Sequence, residues 1–216
     1  IRPVYRPDPV AAIYDKLREF KTPTVILGHR ALFCSDFPNV ETDDITASQI
    51  ATEHLLDLGH CKIACLTGPT FAPWAQERYE GYSRALRERH IDADERLIFQ
   101  AGSTIEEGAT AALQMIDENP GATAVIAAND LVAIGAASTL LDQGVKIPEN
   151  ISVVGFGNTL TAEYFRVPLT TISQPKYRRG TAAIESMEKL LAGEKASFKR
   201  LPADLVIRKS TSAPPG

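Results

Sequence analysis

The chain has 216 residues, 44% of them hydrophobic and 23% charged, with a formal net charge of −4 and a sequence pI near 5.6. That length suits one large domain or two small lobes. The acidic balance excludes a strong nucleic-acid surface, which shows as a basic stripe; the densest basic cluster is only "KYRR", Lys176 to Arg179. Three cysteines are an odd count without a disulfide framework. Cys61 and Cys65 read as one strand, spanning roughly 13 Å against a disulfide limit of about 7 Å, and are expected as buried thiols. No apolar run approaches the ~20 residues of a membrane helix, and no signal peptide is seen.

The first predicted element is a helix on which Ile13, Leu17 and Phe20 share a face; before Ile13 there is room only for a strand stub. "TPTVILG" (22–28) reads as a strand. A helix over 46–58 then places Ala47, Ile50, Ala51, Leu55 and Leu58 on one side, with Asp44 as N-cap and Gly59 as stop. "KIACLTG" (62–68), "RLIFQAG" (96–102), "TAVIAAND" (123–130) and "ISVVGFGN" (151–158) are short and continuously apolar, as parallel strands covered on both faces are. Between them lie helical spacings: Ala75, Tyr79, Tyr82 and Leu86; Ile105, Ala109, Ala112 and Ile116; Leu131, Ile134, Ser138 and Leu141. After Pro175 a last long helix carries Ile184, Met187, Leu190 and Leu191, followed by a strand, "ADLVIRKST", and a frayed tail. Strand–helix–strand at this interval predicts an α/β fold with doubly wound parallel sheets. The N-terminal half supplies fewer strands than such a lobe needs and reads as incomplete.

In open α/β sheets ligands bind beyond the carboxyl ends of the strands. Those ends carry Gly28 and His29, Gly68, Gly102 and Ser103, Asn129 and Asp130, and Gly157 with Asn158. Gly155 and Gly157 in "SVVGFGN" either let the backbone approach a bound molecule or serve a tight turn at positive φ; both uses stay open at this point. Arg78 is placed in the first turn of the helix after "GPTFAPWA". A cation there opposes the helix dipole, so its use is a fork of donors for a ligand, unless it is paired with Glu77 or solvated. Trp74 stacks on a ligand or covers a core edge. No dinucleotide, phosphate-loop, zinc or nucleophile-elbow motif is complete, and no cofactor is expected. His54 and His60 are too poorly placed to share a metal.

"TASQIATEHLLDLGHCKIACLTGP", "AQERYEGYSRAL", "AVIAANDLVAIGAASTLLDQGVKIPENISVVGFGN" and "VPLTTISQP" resemble, in order and over nearly the whole chain, the lactose-repressor (LacI/GalR) family of bacterial regulators. The resemblance implies a cytoplasmic, non-enzymatic transcription regulator. It implies a helix-turn-helix for operator DNA, a hinge helix, and a two-lobed, type I periplasmic-binding-protein-like core that dimerises. A small metabolite, a sugar or sugar derivative, would bind between the lobes. On this reading the headpiece and the first part of the N-terminal lobe precede Ile1. Residues 1–43 and 174–203 form the partial N-terminal lobe, and 44–173 with 204–216 the C-terminal lobe. A periplasmic sugar-binding protein of a transport system shares the fold and is the alternative.

Residue by residue, the resemblance implies effector contacts at Arg78 and Asn129, with Asp130 orienting its loop; Asp43, Asn158 and Trp74 are further candidates. It also implies departures. Gly157 stands where relatives place a carboxylate, Ser103 where they often place an aromatic ring, and Gly28 where they often place an acid. Removing the carboxylate at 157 would leave Arg78 less neutralised, which predicts a larger or acidic effector such as an oligosaccharide, a uronate or a sugar phosphate; the alternative is that Asn158 or a water replaces the lost acceptor and a neutral sugar still binds.

Overall fold

The computed structural model describes residues 9–30 and 34–215; the strand stub expected before Ile13 falls on residues outside that range. In chain order the elements are α1 (Pro9–Glu19), β1 (Ile26–Leu27), β2 (Asn39–Thr42), α2 (Asp44–Asp57), β3 (Ile63–Thr67), α3 (Pro73–Glu88), β4 (Ile98–Gln100), α4 (Ile105–Glu118) and β5 (Ala124–Ala127). They continue with α5 (Asp130–Asp142), β6 (Ser152–Phe156), α6 (Leu160–Glu163), β7 (Thr170–Ser173), α7 (Lys176–Leu191), β8 (Lys199–Leu201) and β9 (Asp204–Val206). The chain divides into two compact units, Ile1–Asp43 with Pro175–Pro202, and Asp44–Gln174 with Ala203–Gly216.

The larger unit is a six-stranded sheet in the order β4-β3-β5-β6-β7-β9, parallel except for the β7–β9 edge pair. Its continuous apolar strands serve two cores at once, because successive side chains point to opposite faces. Ala64, Leu66, Val125, Ala127 and Val153 pack towards α4 and α5. Ile63, Cys65, Ala124, Ile126, Val154 and Phe156 pack towards α2 and α3. Helices therefore cover both faces, as the α/β reading expects.

The helices come together as close pairs. A Cβ on Gly135 of α5 would lie 1.9 Å from the Ile105 carbonyl oxygen, and one on Gly81 of α3 would lie 2.2 Å from that of Ile45. Only glycine lets backbone meet backbone there. This approach also shifts the buried faces from those expected. In α5 the buried set is Asp130, Val132 to Ala137 and Leu140, while Leu131 is exposed. A helix of small residues wedged between sheet and partner helix buries nearly its whole girth. On α3, Tyr79 is exposed while Tyr82 is buried, its hydroxyl donating to the Ile63 carbonyl at 2.8 Å.

The smaller unit pairs β1, β2 and β8 in parallel, with α7 packed on the strands. β2 and β8 were not anticipated. β2 is fully buried yet polar: Glu41 accepts from Arg200 (2.9 and 2.6 Å) and from Asn39 (2.8 Å). A strand that buries an ion pair instead of aliphatic side chains carries no apolar signature. The apolar faces expected for α1 and α7 are largely open, with Ile13, Phe20, Ile184 and Leu191 all exposed. The final strand is only Asp204–Val206, and the residues after it run on as an irregular strap. Cys65 and Cys34 are buried, but Cys61 precedes β3 and is exposed, contrary to expectation.

Candidate functional site

The sheet order itself selects a place. From β3 the chain winds outward to β4, and from β5 it winds the other way to β6, so the β3–β5 boundary is the switch point where open α/β sheets bind ligands. Arg78 stands there. It sits in the second turn of α3, not the first as expected, because the helix begins at Pro73. Its Nη1 donates to the Ala128 carbonyl oxygen at the end of β5 (2.5 Å). Nε and Nη2 both donate to Asp44 Oδ2 (3.1 and 2.9 Å).

Asp44, expected as a helix cap, opens α2 and serves as the counter-ion of Arg78. The Arg78 side chain is 12% exposed and that of Asp44 0%. Phe156 of β6 lies under the guanidinium, its ring centroid 3.5 Å from Cζ, and Trp74 lies 4.7 Å away, a stack that favours a cation. Trp74 also explains Gly68, where a Cβ would come within 2.8 Å of the indole ring. Burial pulls the Arg78 pKa down, and the charges of Asp44, Asp130 and Glu77 oppose that pull.

Asn129 caps α5. Its Oδ1 accepts the Val132 N–H (2.8 Å) while Nδ2 donates to the Ser103 carbonyl oxygen (3.1 Å), tying the loop after β4 to the loop after β5. Ser103 borders a surface recess of about 570 Å3 whose lining includes Phe71, Gln100, Glu106 and Thr110. Asp130, next in sequence, turns the other way. Its Oδ2 accepts from the Thr159 N–H (2.7 Å) and hydroxyl (2.9 Å), and Oδ1 from the Thr171 hydroxyl (2.6 Å). A Cβ on Gly155 would lie 2.5 Å from Asp130 Oδ1, and Gly157 has a φ of +139°. The glycines of "SVVGFGN" thus admit the protein's own carboxylate and a left-handed turn.

Asn158, in the left-handed region at φ 50°, is likewise held by the protein. Nδ2 donates to Ser173 Oγ (3.1 Å) and Oδ1 accepts from Arg208 Nη2 (2.7 Å). Asp43 belongs to the smaller unit, where its N–H donates to the Leu201 carbonyl oxygen (2.8 Å). The structure therefore brings Arg78 and Trp74 together at the switch point, with Asn129 tied to the adjoining loops after β4 and β5. Sequence reasoning missed the role of Asp44, because a pairing across 34 positions leaves no local spacing. It also missed Arg208, read only as part of a terminal strand.

His54 and His60 are structural. His60 is buried, with ring nitrogens 2.9 Å from Thr123 Oγ1, 3.1 Å from Ser152 Oγ and 2.8 Å from the Ser212 carbonyl oxygen. His54 Nε2 is 3.1 Å from Thr211 Oγ1. Together they hold the C-terminal strap against the rest of the unit. Burial lowers the pKa of both.

Residues 52–211 match the family described as periplasmic binding protein-like domain. The chain is 41% identical over 165 residues to the HTH-type transcriptional repressor PurR of Vibrio atlanticus (strain LGP32), covering 75% of this chain and 49% of that protein. To the HTH-type transcriptional repressor CytR of Escherichia coli (strain K12) it is 35% identical over 182 residues, 83% of this chain and 53% of the relative. The chain thus spans about half the length of the curated relatives it matches. Among solved structures, a complex of the transcriptional regulator CelR with cellobiose superposes with a TM-score of 0.87 at 29% identity, covering 96% of this chain and 63% of that one.

Proposed function

The chain belongs to the periplasmic binding protein-like family, and we propose that it is the effector-binding and dimerisation core of a LacI-type transcriptional regulator, not an enzyme. Arg78 carries the reading. A buried guanidinium at the switch point is stacked on Phe156, joined to the end of β5 through Ala128 and covered by Trp74. It offers fixed donors to a polar ligand, with Asn129 organising the neighbouring loops. The cellobiose complex of the CelR relative favours a sugar or sugar derivative. Asn158, on the same unit as Arg78, is proposed as a supporting contact. The two units are taken as the lobes of one discontinuous effector-binding body. Operator DNA is contacted by the part of the relatives that this chain does not span, and the whole protein works in the cytoplasm.

Dimerisation is supported by apolar surface on the larger unit: α5 and α6 pack together, and Leu131, Leu160 and Tyr164 are 41%, 73% and 79% exposed. Surface of this kind marks interaction sites. Among the described residues no helix is long and apolar enough to cross a membrane.

The test uses the full-length protein. It is expected to shift DNA from its own regulatory region in a gel, and a sugar is expected to change that shift and the protein's melting temperature. Arg78→Ala should keep the gel shift and lose the sugar response, since losing a charged hydrogen-bond partner costs about 1.5–3 kcal/mol. Retention of the full response by Arg78→Ala removes Arg78 from the site, and failure of the intact protein to bind DNA refutes the regulator reading.

A further inference from the structure

The charge of the effector can be read from the way Arg78 is held, on the premise that the effector-binding reading is right. The missing carboxylate at Gly157 predicted a guanidinium short of negative charge and hence a larger or acidic effector. The structure supplies that charge from another element. Asp44, fully buried at the start of α2, accepts two hydrogen bonds from Arg78. Asp130 and Glu77 add further negative potential at the guanidinium. In so dry a site, an incoming carboxylate or phosphate must share Arg78 with a buried anion a few ångströms away, and like charges at that range repel strongly. A hydroxyl, carbonyl or ring nitrogen meets no such cost. It can accept an N–H of Nη1 or Nη2 beyond those used by Ala128 and Asp44, since a guanidinium carries five N–H donors.

We propose that Asp44 is a specificity-determining residue of this chain: acting through Arg78, it admits uncharged effectors and rejects carboxylates and phosphates. Asp44→Asn is the direct probe, because the amide keeps the shape and one acceptor for Arg78 while removing the charge. Calorimetry and thermal-shift titrations would be run on the full-length protein with inorganic phosphate, glucuronate, glucose and cellobiose at matched ionic strength. Wild type should show no saturable response to phosphate or glucuronate. Asp44→Asn should bind one or both at least about tenfold more tightly, as removal of an unfavourable charge contact allows. The double variant Asp44→Asn, Arg78→Gln should lose that gain.

Saturable wild-type binding of either anion, as tight as in the variant, overturns the proposal. So does a folded Asp44→Asn protein that gains no anion affinity. Where Asp44→Asn does not fold, native mass spectrometry of the wild-type protein incubated with an extract of its own cells decides. An uncharged retained metabolite supports the proposal, and a carboxylate or phosphate overturns it. If nothing is retained and no sugar binds, the effector reading itself fails and this inference falls with it.

Discussion

Asp130 is the buried anion on which the loop after β6 depends, and removing it should be among the most damaging single changes in the larger unit. The side chain is 1% exposed and takes three hydrogen bonds, from the Thr159 N–H, the Thr159 hydroxyl and the Thr171 hydroxyl. In Asp130→Ala the hydroxyls can rotate to other partners: Thr159 Oγ1 is already 3.0 Å from Thr161 Oγ1 and accepts from Ala162. The Thr159 N–H cannot rotate. An orphaned buried donor costs about 1–3 kcal/mol and each bond to a charged acceptor contributes about 1.5–3 kcal/mol. Allowing for the relaxed hydroxyls, the loss should be about 3–5 kcal/mol, the range found when a buried charged partner is removed. For a domain of this size each kcal/mol lowers Tm by roughly 2–4 °C, so circular dichroism should show a fall of roughly 6–20 °C. Asp130→Asn should lose only about a third of that, because the amide oxygen can face Thr159 while its N–H₂ faces Thr171 Oγ1 as an acceptor. Hydrogen exchange at residues 157–160 should quicken in both. A Tm of Asp130→Ala within about 2 °C of wild type would refute the claim that these bonds hold the loop.

The helix pairs and the histidines give further expectations. Gly135→Ala puts a methyl 1.9 Å from the Ile105 carbonyl oxygen, so overpacking of about 1–3 kcal/mol should outweigh the roughly 1 kcal/mol gained in helix propensity. Gly180→Ala, in α7 with nothing near its added Cβ, should instead stabilise by up to about 1 kcal/mol; urea denaturation of the two variants separates them by sign. His54 and His60 have native pKa values below the ordinary 6.5, so the unfolded chain takes up protons first. Their contribution is full above pH 6.5 and is lost as the pH falls towards the lowered native values. Melting curves between pH 8 and pH 5 should show that loss, and His60→Gln should flatten it.

Much of the larger unit was legible because its chemistry is local. β3, β5 and β6 are continuous apolar runs, and Arg78 and Trp74 follow a strand by one loop. What stayed hidden depends on contacts between distant segments. β2 announces nothing because its burial is satisfied by the Glu41–Arg200 pair, 159 positions apart. Helical spacing of large residues misjudged α3, α4 and α5, since the closest approaches run through Gly81, Gly108 and Gly135 and leave Tyr79, Ile105 and Leu131 outside. The pairing of Asp44 with Arg78 stayed hidden for the same reason.

The placement of Asp130 determines whether a carboxylate could be restored at position 157. Asn129 and Asp130 are adjacent, but Asn129 is extended (φ −156°, ψ 175°) and Asp130 is the first helical residue, so one side chain serves the Ser103 loop and the other the Thr159 loop. Asp130 thereby occupies the space beside Gly157: a Cβ there would lie 3.3 Å from Asp130 Oδ2, at a φ of +139°. Gly157→Asp would force an L residue into that backbone region, at a cost of about 1–3 kcal/mol. It would also set a second carboxylate against a buried first one. The variant should therefore melt several degrees lower and gain no sugar affinity by calorimetry. A Gly157→Asp protein as stable as wild type, with tighter sugar binding, would show that the loop around Asp130 is free to rearrange and that the carboxylate at 157 is compatible with this site.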